Sequence, residues 1–181
     1  MEIEVMKEKM QKTIDSLSRD FSTIRTGRAS SQLLDRVQVE YYGFMTPLRD
    51  ISQISIPDSH TLMIKPYEEG AKVLAMIEKA IVDAQLGMAP NNDGSVIRLN
   101  VPSLTEERRK EFCKKLGKMS EEAKVAIRNI RRDANDQVKK DKVLTEDQKR
   151  RAEKDIQTET DKMIKKIDEM TKVKEKDIMS V

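Results

Sequence analysis

The chain contains no tryptophan, a single cysteine (Cys113), a single histidine (His60) and only three Phe and three Tyr in 181 residues. Each shortage excludes something. One cysteine permits neither an intramolecular disulfide nor a cysteine-based zinc site, and predicts a reducing compartment. One histidine has no second imidazole with which to share a metal, so no metal or cofactor is expected. An aromatic content of 3% beside 37% charged residues is poor material for one large globular core. The six glycines are scattered singly, so no glycine-rich phosphate loop exists. No apolar run is long enough to span a bilayer, and the N-terminal residues lack a secretory apolar region. These features predict a soluble, cytoplasmic chain with no membrane association. No organelle transit segment is legible, which favours a bacterial source.

What the chain has in quantity is charge laid out on helical seams. Ile3, Met10, Leu17 and Ile24 repeat every seven residues, with Met6, Ile14 and Phe21 on the adjoining seam. A second helix is predicted from about Thr105, its N-cap, to about Lys140, with Glu106 and Glu107 favoured by the helix dipole in its first turn. A third begins at Thr145, with Gln148 in capping-box position, and runs through Ala152, Ile156, Met163, Ile167 and Met170 towards Ile178. Each seam is unstable alone in water, so the three helices are expected to bury one another as an elongated bundle. The eleven Met residues suit such adaptable seams.

Between the first and second helices the pattern changes to Gly, Pro and β-branched residues. Strands are predicted over residues 37–42, 51–56, 61–65 and 95–101, and a helix over residues 69–86 with Gly87 as its stop. The chain therefore reads as α+β: a bundle of residues 1–29 and 105–181, with an inserted α+β domain of residues 30–104. The insert holds six Lys/Arg and nine Asp/Glu, whereas the remainder holds twenty-nine and twenty-three. Any polyanion site belongs to the bundle. Two short connections, Ala29-Ser30-Ser31 and Pro102-Ser103, have the small residues of a hinge. Tyr41 and Tyr42 alternate on one strand, one facing the core and the other solvent.

From Arg108 to Arg132 the chain carries ten Lys/Arg against three Asp/Glu. At about 100° per residue, Arg128, Arg131, Arg132, Lys124, Lys139, Lys110 and Lys114 share roughly a third of the helix circumference. Phe112, Leu116, Met119, Ala123, Ile127, Ile130 and Ala134 occupy a separate arc that can pack. Three arginines so close, with Asn129 and Asn135 among them, suit forked hydrogen bonds to a nucleic-acid backbone. The competing reading is a solvated charged face, or a bundle serving as an adaptor or chaperone for acidic protein partners. Asp58, Ser59 and His60 are catalytic residue types, but their adjacency in one turn is the wrong geometry for nucleophilic catalysis. No enzyme is predicted.

Four blocks then carry a resemblance: Ile24-Arg-Thr-Gly-Arg-Ala-Ser30; Val39-Glu-Tyr-Tyr-Gly43 with Thr46-Pro-Leu48; Leu104-Thr-Glu-Glu-Arg-Arg-Lys110; and Val125-Ala-Ile-Arg-Asn-Ile-Arg-Arg-Asp-Ala-Asn-Asp136. In this order, around an inserted domain, they resemble the bacterial ribosome recycling factor family over essentially the whole chain. The resemblance implies a three-helix bundle with a small β/α/β domain on a hinge, L-shaped and similar to transfer RNA in outline. It implies a factor that, with elongation factor G and GTP, dissociates the post-termination ribosome into subunits without covalent chemistry of its own. Arg128, Arg131 and Arg132 would then contact large-subunit ribosomal RNA. Arg108 and Arg109 match basic residues near the start of the same helix, and Arg25 and Arg28 those of the hinge-proximal block. For Arg25 and Arg28, capping of the first helix's C-terminus is the alternative role. An asymmetric bundle with closed seams argues for a monomer.

Overall fold

A computed structural model of the chain describes residues 3–180. The chain divides into two compact units, Met1–Thr26 with Thr105–Val181, and Gly27–Leu104.

The first unit is built from α1 (Ile3–Ser22), α4 (Glu106–Lys140) and α5 (Glu146–Met179). α1 buries Met6, Met10, Ile14, Leu17 and Phe21, a spacing of three and four residues that holds one stripe against its neighbours. Its end is closed by tighter three-residue turns, Thr23 N donating to Asp20 O and Ile24 N to Phe21 O. α4 starts where Thr105 Oγ1 accepts from Arg108 N at 3.2 Å. α5 starts with a full capping box: Gln148 N donates to Thr145 Oγ1, and Thr145 N to Gln148 Oε1. Each cap contributes about 1 kcal/mol. The buried positions of α4 are Leu116, Ser120, Ala123, Ile127, Ala134 and Val138. Phe112, Met119 and Ile130 lie at the margin of this stripe, half-buried. Small Ala and Ser residues at the centre allow α5 to come close, and the Thr171 and Ser120 hydroxyls are hydrogen-bonded to each other at 3.1 Å. This pair, with Lys124–Asp168 and Arg131–Gln157, sets α5 antiparallel to α4.

The second unit has two sheets. β1 (Gln38–Tyr41) and β2 (Phe44–Pro47) form an antiparallel hairpin. Its two-residue turn, Tyr42 and Gly43, has φ of 49° and 85°, the double left-handed turn that matches strand twist. A single helical turn, α2 (Leu48–Ile51), leads into β3 (Ser52–Asp58) and β4 (Thr61–Pro66). After α3 (Ala71–Asp83) come β5 (Pro90–Asn92) and β6 (Ile97–Asn100), giving a four-stranded sheet in the order β3-β4-β6-β5. Leu62, Ile64, Ile97 and Leu99 of the sheet bury with Val73, Leu74, Ile77 and Ile81 of α3, and with Leu34, Val37, Val39 and Leu48. Tyr41 packs against this core and Tyr42 is exposed. The insert is thus a small β/α/β unit, and the chain as a whole is α+β.

Several local features depart from the sequence reading. The hairpin strand β2 and the edge strand β5 were not expected. Phe44-Met-Thr-Pro47 lacks a buried alternation, and Pro90-Asn-Asn92 has turn composition at a sheet edge where proline is tolerated. β6 begins at Ile97 rather than at residue 95, because the Asp93 carboxylate captures the backbone N–H groups of Ser95 and Val96 in a turn. The compact insert begins at Gly27, three residues before the sequence boundary. Ser30 and Ser31 lie inside it: Ser30 caps a short 3₁₀ turn, Ser31–Leu34, by accepting from Gln32 N. Ala29 N donates to Ser59 O at 2.8 Å.

Candidate nucleic-acid interface

The basic residues of α4 separate into three groups once α5 is packed beside them. Arg132 is exposed and makes no hydrogen bond or ion pair to any described residue. Lys114 and Lys139 are exposed on the same flank, and among the described residues Lys110 reaches only Glu106 one turn back, at 3.2 Å. These side chains are available to a ligand.

Arg128 and Arg131 are held in part. Arg128 has 42% of its side chain exposed, with Nη1 at 4.0 Å from Glu121 Oε2. Arg131 Nη1 donates to Gln157 Oε1 at 3.2 Å, and Gln157 Nε2 in turn donates to Asp161 Oδ1 at 2.8 Å. A guanidinium has five N–H donors, so a single bond to Gln157 orients Arg131 while leaving donors over. Such a tethered fork is pre-positioned for an oxyanion.

Lys124 is placed differently from its expected role. Only 16% of its side chain is exposed, and its Nζ lies 2.6 Å from Asp168 Oδ1 of α5 and 3.6 Å from Glu121 Oε1. The hydrogen bond to Asp168 is the main cause of a raised ammonium pKa, with desolvation opposing it. Lys124 therefore fastens α4 to α5. The Asp168 partner on α5 cannot be read from the sequence of α4.

The remaining candidates are dispersed. Arg108 is exposed, with Nη1 at 3.6 Å from Glu111 Oε2. Arg109 is half-buried, and its Nε is enclosed without a hydrogen-bond partner among the described residues. α1 ends at Ser22, so Arg25 and Arg28 lie beyond its last turn, where Arg19 is the basic residue. Arg25 belongs to the bundle unit and Arg28 to the insert unit. Gln157, Asp161 and Asp168, which shape the flank from α5, were not anticipated. The only advance signal was their spacing along a predicted helix.

Other chemistry can be located. His60 sits in the β3–β4 turn with Nδ1 at 2.9 Å from Gly27 O, and Asp58 Oδ1 accepts from His60 N at 2.9 Å. Asp58, Ser59 and His60 thus build a turn. Among the described residues, no group of three or more His, Cys, Asp or Glu is placed to hold a metal ion. No helix among them is long and apolar enough to cross a membrane.

A family model described as ribosome recycling factor matches residues 17–179. The ribosome-recycling factor of Picosynechococcus sp. is 53% identical over the full length of both chains. That of Bacillus licheniformis is also 53% identical, over 97% of this chain and 95% of its own. A solution structure of a ribosome recycling factor, 37% identical, superposes with a TM-score of 0.75 over 100% of this chain and 99% of its own. A second is the T. thermophilus ribosome recycling factor, described with E. coli elongation factor G bound to the E. coli post-termination complex. It is 41% identical, with a TM-score of 0.63 over 98% of this chain and 97% of its own. The chain belongs to the ribosome recycling factor family.

Proposed function

We propose that this chain acts with elongation factor G and GTP to dissociate the post-termination ribosome into subunits for reuse. It binds large-subunit ribosomal RNA through the outer flank of α4 and does no covalent chemistry of its own. The observation that carries this reading is the Arg128–Arg131–Arg132 group: one arginine unpaired among the described residues, two tethered by single contacts, all on one flank. Phosphate is the counterpart that such forks fit best. Arg108, Arg109, Arg25 and Arg28 are secondary contacts in this scheme. The related complex with elongation factor G on a post-termination ribosome supports the choice of partners. The two chain crossings between the units, at Thr26–Gly27 and Leu104–Thr105, with Ala29, Ser30, Ser31, Pro102 and Ser103 beside them on the insert side, serve as the hinge on which the insert moves. The factor works as a monomer in the cytoplasm.

A titration of isolated large subunits across a range of salt tests the RNA-binding part. Affinity should fall by roughly 0.7–0.9 log units per phosphate contact for each log unit of salt. A salt-independent affinity contradicts it, as would capture of an acidic protein that survives ribonuclease treatment.

A further inference from the structure

The β3–β4 turn grips both chain crossings of the insert. On the first crossing, Ser59 O accepts from Ala29 N at 2.8 Å, and His60 Nδ1 lies 2.9 Å from Gly27 O. On the second, His60 O accepts from Val101 N at 2.7 Å. The crossings also touch each other. Gly27 has φ +74°, and a Cβ placed there would lie 3.1 Å from Leu104 N and 3.3 Å from Leu104 Cγ. Asp58 holds the turn itself in shape by accepting from His60 N. Two of the three bonds to the crossings use only backbone atoms, which any residue supplies. The third needs a ring nitrogen at position 60. A carbonyl can only accept, so Nδ1 must carry the proton and donate.

We propose that His60 is a positioning residue for the hinge. Acting through Gly27, it ties the first crossing to the insert as far as the unit boundary at Thr26 and Gly27. Backbone rotation on that crossing is then confined to Arg25 and Thr26, between the turns that close α1 and the clasp. Force applied to the insert reaches the bundle through this short segment instead of being absorbed by a slack linker around residues 27–31. The inference rests on the hinge reading above and adds to it the place where the hinge stops.

Three measurements test the proposal. In the wild-type protein, imidazole ¹⁵N shifts recorded well above the ordinary histidine titration range should show the Nδ1–H tautomer; an Nε2–H tautomer overturns the clasp. In His60→Ala, hydrogen exchange at the Ala29 amide should quicken by about threefold to tenfold, the range that one net hydrogen bond is worth. The Leu62 and Leu99 amides should be unchanged, which certifies the fold. His60→Asn, whose side-chain N–H can occupy the Nδ1 position, should restore protection. Unchanged exchange at Ala29, or no rescue by Asn, overturns the assignment. In subunit splitting, His60→Ala should lower the maximal rate and leave the half-saturating concentration alone; splitting at the wild-type rate overturns the role in positioning. A wild type that splits no ribosomes contradicts the functional reading instead, and the tautomer and exchange results still decide whether the clasp exists.

Discussion

Lys124 Nζ of α4 and Asp168 Oδ1 of α5 meet at 2.6 Å, so one cation of the basic flank is consumed in joining two helices. Its neighbour Arg132, two turns further along the helix, has no such partner among the described residues. The flank therefore mixes residues that build the bundle with residues that face outwards, and substitutions should sort them.

Lys124→Ala should lower stability by up to about 1 kcal/mol, the upper range for a partly exposed pair, and change ribosome affinity little. Arg132→Ala should do the reverse, with unchanged stability and weaker binding. Chemical denaturation beside an equilibrium binding titration checks both. Equal loss of affinity in the two folded variants would contradict the division.

Two glycines should respond in opposite directions to alanine. Gly117 lies within α4, where an added Cβ would meet nothing within 4 Å. Gly117→Ala should therefore stabilise by roughly 0.5–1 kcal/mol through helix propensity. Gly27 combines φ +74° with the close approach of Leu104, so Gly27→Ala should destabilise by at least about 1 kcal/mol. Thermal unfolding of the two variants beside the wild type reads out both signs.

Asp93 should give the insert a distinct acid dependence. Its carboxylate accepts from Val96 N at 2.9 Å and Ser95 N at 3.0 Å, and also from Ser95 Oγ, with Arg98 Nε at 3.6 Å. These backbone bonds hold its pKa down from 3.8 to about 2. The stability it contributes is fully present above the ordinary carboxylate value and is lost as pH falls through about 2. The stability difference between wild type and Asp93→Ala should be constant near neutral pH and shrink below pH 3.8. A difference that persists unchanged into strong acid would contradict this.

Tyr41 should ionise late. Its hydroxyl hydrogen-bonds Glu68, which also accepts from Tyr42 Oη at 2.7 Å, and the bond to Glu68 with some desolvation raises the Tyr41 pKa from 10.0 to about 12. The stability linked to this bond is intact below pH 10 and is lost as pH rises through about 12. Phenolate absorbance in a Tyr42→Phe/Tyr67→Phe protein isolates Tyr41. Glu68→Gln in that background should move its titration back towards the ordinary phenol value.

The long helices were legible because periodicity and caps agree. The stripe from Met6 to Phe21, Thr105 ahead of two glutamates, and Thr145 with Gln148 are local signals that packing did not override. β2 and β5 were not legible, because a hairpin arm with Phe44 77% exposed and a three-residue edge carry no burial pattern to read. Within the flank, helical periodicity grouped the cations on one arc of α4. It could not show that Lys124 would be paired and Arg131 tethered, since Asp168 and Gln157 reach them only after α5 has docked. Likewise, nothing local to Ser30 or Ser31 reveals the 3₁₀ turn that takes them into the insert.

The central claim is that this chain splits post-termination ribosomes through the outward arginines of α4. Light scattering of such ribosomes with elongation factor G and GTP, comparing wild type with Arg128→Ala/Arg132→Ala, tests it most directly. The account predicts splitting by wild type and its loss in the variant, with circular dichroism and melting of the variant unchanged. Splitting at the wild-type rate by the folded variant would contradict the role given to the flank. No splitting by wild type, with active partners confirmed, would contradict the function itself.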